Sequence, residues 1–196
     1  MAQSFPVDAR VEAKTNLDER NDLELIAAMN GGDAAAFDSL YFRYRDWVIG
    51  LAHRLTGDSD SALDVLQETF LYFLRKFPGF RLTANLKTFL YPAVRNLSIA
   101  ARRKAERYQA TQPELDQIEA TAAPETAPAD AGDLGIVLAG LSEEHREVLL
   151  LRFVDGLSLA EIAQASEIPL GTVKSRLHNA LDILRQDART KEFFQR

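Results

Sequence analysis

Thr172, Lys174, Ser175, Arg176 and Asn179 crowd into eight residues near the end of the chain, and between them they offer hydroxyl, amide, ammonium and guanidinium groups. Those groups can address base edges and phosphates alike. A second cluster mixes the aromatic rings of Phe80, Phe89 and Tyr91 with Arg81, Lys87, Arg95, Arg102 and Arg103. Rings beside cations suit the capture of unstacked bases along a single strand, although rings at helical spacing also build cores, and Phe89 fits either role. Catalytic groupings are absent from the pattern. His53, His145 and His178 are far apart in sequence and no HExxH occurs, Gly171 to Ser175 lacks the spacing of a phosphate loop, and no G-x-S-x-G elbow is present. Asp58 and Asp60 begin like a calcium loop but lack its glycine and closing glutamate, so they are expected to be helix caps. With no cysteine there is no disulfide, thiolate metal site or thiol nucleophile. The expectation is a protein that is not an enzyme and needs no metal or cofactor.

The elements that must position the first cluster are two short helices. Leu159, Ile162 and Ala163 follow helical spacing, Ile168-Pro169 interrupts, and Val173, Leu177, Ala180, Leu181 and Leu184 resume it. Committing Val173 and Leu177 to a core leaves the polar cluster on other faces of the second helix, where it can enter a major groove. A simple three-helix bundle would give the same apolar pattern. Upstream, Asp22 opens a short helix that Asn30-Gly31-Gly32 breaks, Asp33 caps a longer one through Leu40, Trp47, Leu51 and Leu55, and Gly57 ends it. A further helix starts at Asp58 to Asp60 with an aromatic core face of Phe70, Phe73 and Phe77 and stops at Pro78-Gly79. A last one runs from about Leu86 to Arg107.

Charge divides the chain. The overall charge of −6 is a poor match to nucleic acid, but Arg81 to Gln109 carries seven basic residues against Glu106 alone, a net +6. Ala110 to Asp133 holds six acidic residues, three prolines and no cation, and from Leu170 onward the net charge is +3. The fold expected is therefore all-α, with two small helical domains joined by a flexible acidic linker. Residues 1–20 form a disordered arm, 21–109 the first domain, 110–133 the linker, and 134–196 a helix-turn-helix domain of marginal size for independent folding. No apolar run approaches the roughly 18 residues of a membrane span, so no membrane insertion and a cytoplasmic location are expected.

Specific words carry a family resemblance. DVLQETFLYFLRKF from Asp64, FLYPAVRNLSIAARRKAER from Phe89 and LSEEHREVLLLRFVDGLSLAEIAQASEIPLGTVKSRLHNALDILR from Leu141 together resemble the extracytoplasmic-function group of bacterial sigma factors, over roughly residues 22–185. The resemblance implies a protein that binds core RNA polymerase, recognises minus-thirty-five and minus-ten promoter elements and starts transcription, commonly under an anti-sigma protein. It implies polymerase contacts at Asp64, Gln67 and Glu68. It further implies minus-ten contacts at Arg81, Asn85, Lys87, Arg95, Arg102 and Arg103, with the loop from Arg81 to Lys87 receiving a flipped base. Minus-thirty-five contacts fall to Thr172, Lys174, Ser175, Arg176 and Asn179. Arg176 is the expected base reader, because a guanidinium addresses guanine bidentately.

The chain departs from the pattern at three places. Phe89 stands where tryptophan is common in the family. Pro92 lies inside a helical run and is expected to bend it or delay its start. Glu167 occupies the helix-turn-helix corner, where glycine is usual, at a cost of roughly 1 kcal/mol for a left-handed residue, and its charge is expected to weaken promoter binding without polymerase. Two other classes remain compatible with the residues. One is a sigma-mimicking adaptor that binds an anti-sigma protein, which should have lost DNA-facing cations that this chain retains. The other is a stand-alone helix-turn-helix regulator, which should show a dimer heptad or ligand pocket. The Phe193-Phe194 tail is expected to pack on the second domain.

Overall fold

The computed structural model describes residues 18–111 and 133–190, and every regular element among them is a helix. The expected arm up to residue 17, most of the linker and the Phe193-Phe194 tail lie outside the described residues. Eight helices follow in order among the described residues: α1 (Asp22–Asn30), α2 (Ala34–Thr56), α3 (Ser59–Leu74), α4 (Leu86–Thr111), α5 (Asp133–Gly140), α6 (Glu143–Phe153), α7 (Leu159–Ala165) and α8 (Leu170–Gln186).

Local chemistry sets the boundaries. Asn21 and Glu24 form a capping box on α1, Asp33 Oδ1 accepts the amides of Ala35 and Ala36 at the start of α2, and Asp58 accepts Ser61 N–H at the start of α3. Each such cap contributes about 1 kcal/mol by satisfying amides that have no partner inside the helix. Gly57 ends α2 at φ 75°, a left-handed geometry that a side chain would strain. Asp58 is thus a cap, as expected, whereas Asp60 falls within the first turn of α3.

Helices α1 to α4 bury one face each around Leu25, Leu40, Val48, Phe73, Leu86, Leu90 and Val94, all of them fully enclosed. Truncating a ring in that position, Phe73→Ala for example, costs about 3 to 5 kcal/mol. Pro92 neither breaks α4 nor delays it, since the helix begins at Leu86 and runs on to Thr111. Leu90 before it and Val94 after it are both enclosed, so packing holds the chain helical across the missing amide.

Helices α5, α6 and α8 close a smaller core of Val137, Leu141, Leu149, Ala180 and Leu184. Arg146 of α6 completes the end of α5 by donating to the carbonyls of Leu138, Ala139 and Leu141 at 2.6 to 2.9 Å. The larger core does not stop at the first domain. Val148, Leu151, Leu157, Ile162 and Val173 join the cluster built by α1 to α4, and α7 lies against α4.

Candidate nucleic-acid interface

On α3 the inner positions Ala62, Val65, Leu66, Thr69, Phe70 and Phe73 are buried, which leaves Asp64, Gln67 and Glu68 exposed together. Leu63, Leu71 and Leu74 are exposed on the same helix. The outward surface is therefore mixed in polarity, with apolar side chains beside the three polar ones.

The loop between α3 and α4 is held by Asn30. Its Oδ1 accepts the amides of Gly79 and Phe80 at 2.6 and 3.1 Å, and its Nδ2 donates to the Phe80 carbonyl at 2.9 Å. Phe80 thereby meets Phe73, Phe77 and Phe89 in one aromatic cluster, with the Phe80 and Phe89 centroids 4.7 Å apart. Phe89 keeps part of its ring accessible and stacks on Tyr72 at 18° between planes, so it packs and presents a face at once. Asn85 caps α4 by accepting Lys87 N–H at 2.9 Å. It also lines an open cleft of about 560 Å³ together with Asn21, Asp22, Arg43, Leu82 and Thr83. Arg43 is held in the cleft wall, donating to the Asp22 carboxylate at 2.7 Å and to the carbonyls of Asp18 and Arg20.

The six residues expected at the minus-ten element are not brought into one set. Arg81 and Asn85 are exposed on the loop, and Arg102 and Arg103 are exposed on the far half of α4, Arg102 within 3.7 Å of Glu106. Lys87 and Arg95, by contrast, share an α4 face with Tyr91 and turn toward the second domain. Lys87 Nζ donates to the Asp155 carbonyl at 2.8 Å, and Arg95 Nε donates to Glu147 at 3.0 Å. Tyr91 is only 1% exposed and its hydroxyl donates to Glu147. Burial, reinforced by that carboxylate, pushes the Tyr91 hydroxyl far above its ordinary value.

In the second domain Ser158 and Glu161 form a capping box on α7, and the turn to α8 passes through Glu167 at φ 54°. The corner strain expected of a non-glycine residue is present. Val173, Ala180 and Leu184 anchor α8, while Lys174, Ser175 and Asn179 are exposed and Thr172 is half-exposed. Arg176 pairs with Glu144 of α6 at 2.9 Å. The expected minus-thirty-five residues thus share the free surface of one helix, with Arg176 tethered at its edge. Among the described residues no three His, Asp or Glu side chains gather as metal ligands, and no helix is long and apolar enough to cross a membrane.

Sequence patterns gave no sign of Trp47, Asn30, Glu144, Glu147 or Asp155 as partners. Trp47 follows the apolar spacing of its helix, and nothing in the sequence around it or around Asp155 reports a contact 108 residues away.

Comparison with known proteins matches residues 40–108 to the Sigma-70 region 2 family and residues 137–186 to the Sigma-70 region 4 family. The chain is 34% identical over 168 residues to the ECF RNA polymerase sigma factor SigL of Mycobacterium tuberculosis, covering 82% of this chain and 93% of that one. The chain belongs to the ECF sigma factors. It is also 29% identical over 177 residues to the ECF sigma factor SigW of Bacillus subtilis, covering 84% and 95%. Among solved structures, the Bartonella quintana sigma factor RpoE in complex with the anti-sigma factor NepR superposes with a TM-score of 0.57 at 27% identity, covering 76% of this chain and 94% of that one. CnrH in complex with the cytosolic domain of CnrY superposes at 0.60 with 20% identity, covering 83% and 93%, a likeness of fold. The helix-turn-helix of this ECF sigma factor, α7 and α8, lies within region 4, and α3 with most of α4 lies within region 2.

Proposed function

We propose that this ECF sigma factor recruits core RNA polymerase through Asp64, Gln67 and Glu68, places α8 in the minus-thirty-five major groove, and holds the melted minus-ten strand with α4 and the loop before it. Thr172, Lys174, Ser175, Arg176 and Asn179 make the groove contacts. Arg81, Asn85, Lys87, Arg95, Arg102 and Arg103 bind the opened strand, and the cleft beside Asn85 receives an unstacked base. Region 2 spans 21–109 and region 4 spans 134–196, with an arm before them and an acidic linker between. The polymerase performs the chemistry; the sigma factor is not an enzyme. It works in the cytoplasm, and an anti-sigma protein holds it inactive, a reading supported by the similar RpoE, whose structure is a complex with the anti-sigma factor NepR.

The observation that carries this reading is the division of α8: Val173, Ala180 and Leu184 are buried while Lys174, Ser175 and Asn179 stand free. A helix used only for bundle packing has no need of a cationic, hydroxyl-rich outer face at this position. Reconstitution with core polymerase tests it. Specific run-off transcripts are expected, together with loss of core binding on replacing Asp64, Gln67 and Glu68 by alanine. A chain that does not associate with core polymerase would sink the proposal.

A further inference from the structure

Asp155 sits in the turn between α6 and α7, in region 4, yet its partners are in region 2. Its carboxylate is 2% exposed and accepts the Trp47 indole N–H at 2.8 Å and the Arg54 guanidinium at 2.7 and 2.9 Å. Its backbone carbonyl accepts Lys87 Nζ, which also lies 5.6 Å from the centre of the Trp47 ring. One turn of α4 further on, Glu147 of α6 takes the Tyr91 hydroxyl and Arg95. Five groups of α2 and α4 therefore converge on two carboxylate-bearing residues of region 4, and two of those groups are cations assigned above to the opened DNA strand.

This closed arrangement cannot be the one that spans a promoter. Elements centred near minus ten and minus thirty-five are about 25 base pairs apart, ~85 Å along duplex DNA at 3.4 Å per pair. A compact chain of this length has a diameter of roughly 40 Å. The seam between α4 and α7 must part before both elements can be held. We infer that Asp155 is an internal latch, closing region 4 onto region 2 and withholding Lys87 and Arg95 from DNA until it is released. The withholding rests on the proposed role of those two cations, whereas the closure itself does not. Recognition residues Lys174, Ser175 and Asn179 stay exposed in the closed state, so the latch silences the strand-holding half selectively.

Two features make the latch measurable in the full chain. Trp47 is its one tryptophan, and there is no native cysteine. Spin labels at exposed His53→Cys and Gln186→Cys report the separation of the regions, and acrylamide quenching of Trp47 reports the seam. Asp155→Ala and Arg54→Ala should each lengthen the interspin distance and raise quenching. Affinity for a short fluorescein-labelled single-stranded oligothymidine should rise roughly tenfold if the closed form is about nine-tenths populated. Because Arg54 lies outside region 4, its variant separates release from any unfolding around Asp155. Unchanged distances and quenching in Arg54→Ala would overturn the latch. Opening without a gain in oligonucleotide affinity would overturn the withholding. Run-off transcription by the wild-type chain is scored separately: its absence counts against the sigma reading, while the spin distances still decide the closure.

Discussion

Arg176 on α8 and Glu144 on α6 form an ion pair at 2.9 Å, with the arginine side chain 21% exposed and the glutamate 64% exposed. The residue best suited to read guanine is thus tied by a partner that is itself well solvated. Exposed pairs of this kind contribute at most about 1 kcal/mol, less than a bidentate contact with guanine provides, so DNA can displace Glu144. Glu144→Gln should tighten minus-thirty-five binding by up to about fivefold, and Arg176→Ala should weaken it by about 1 to 3 kcal/mol while relaxing preference at one base pair. Binding to a panel of single-base promoter variants checks both. If Arg176→Ala lowers affinity equally for every variant, Arg176 holds phosphate and reads no base.

Glu167 adopts φ 54° at the corner between α7 and α8, where a Cβ meets steric resistance. Glycine removes that cost but also adds entropy to the unfolded chain, so the net gain from Glu167→Gly is smaller than the full strain, about 0.5 to 1 kcal/mol. The substitution also deletes a negative charge facing the expected phosphates. Chemical denaturation should show the stability gain, and duplex binding should strengthen more at low salt than at high salt. A destabilised Glu167→Gly protein would contradict the strain argument.

The helices and their ends were legible because caps and breakers act locally: Asp33, Gly57 and Asp58 declare themselves within four residues of the boundary they set. The faces of α3 and α8 were legible for the same reason, since 3.6-residue periodicity sorts Val65 from Asp64 and Val173 from Lys174. What could not be read was the destination of Lys87 and Arg95. Their charge and spacing suit DNA, but their partners Asp155 and Glu147 lie more than 50 residues away, and no local pattern encodes a tertiary pairing of that separation. The late start expected from Pro92 does not occur, because burial of its neighbours outweighs the lost amide.

The Ser158 and Glu161 capping box ties the stability of the helix-turn-helix to acid pH. The Glu161 carboxylate accepts Ser158 N–H at 2.8 Å, and that bond holds its pKa below the ordinary 4.5. A carboxylate depressed on folding stabilises fully above its unfolded pKa and loses that contribution as pH falls through the folded value. Wild-type stability should therefore decline on acidification below about pH 4.5 more steeply than that of Glu161→Gln, which is neutral throughout. Ser158→Ala should cost about 1 kcal/mol near neutral pH. Parallel urea titrations across the acid range give the comparison, and identical pH slopes for wild type and Glu161→Gln would sink it.

Pro92 in the second turn of α4 cannot donate an amide hydrogen to the Thr88 carbonyl, and the Thr88 hydroxyl, buried at 4% exposure, has no hydrogen-bond partner either. The helix therefore carries a local deficit beside Lys87 and Tyr91, at the part of region 2 that faces region 4. Pro92→Ala supplies the missing donor without adding bulk. It should raise stability by about 1 to 3 kcal/mol, since helix propensity and a regained buried hydrogen bond act in the same direction. The larger unfolded-state entropy of alanine subtracts up to about 1 kcal/mol from that gain. Hydrogen exchange distinguishes the mechanism from a general effect: the new amide at residue 92 should be protected as strongly as those of Leu90 and Val94. A fast-exchanging amide there, with no rise in stability, would mean that the ring of Pro92 is itself part of the packing.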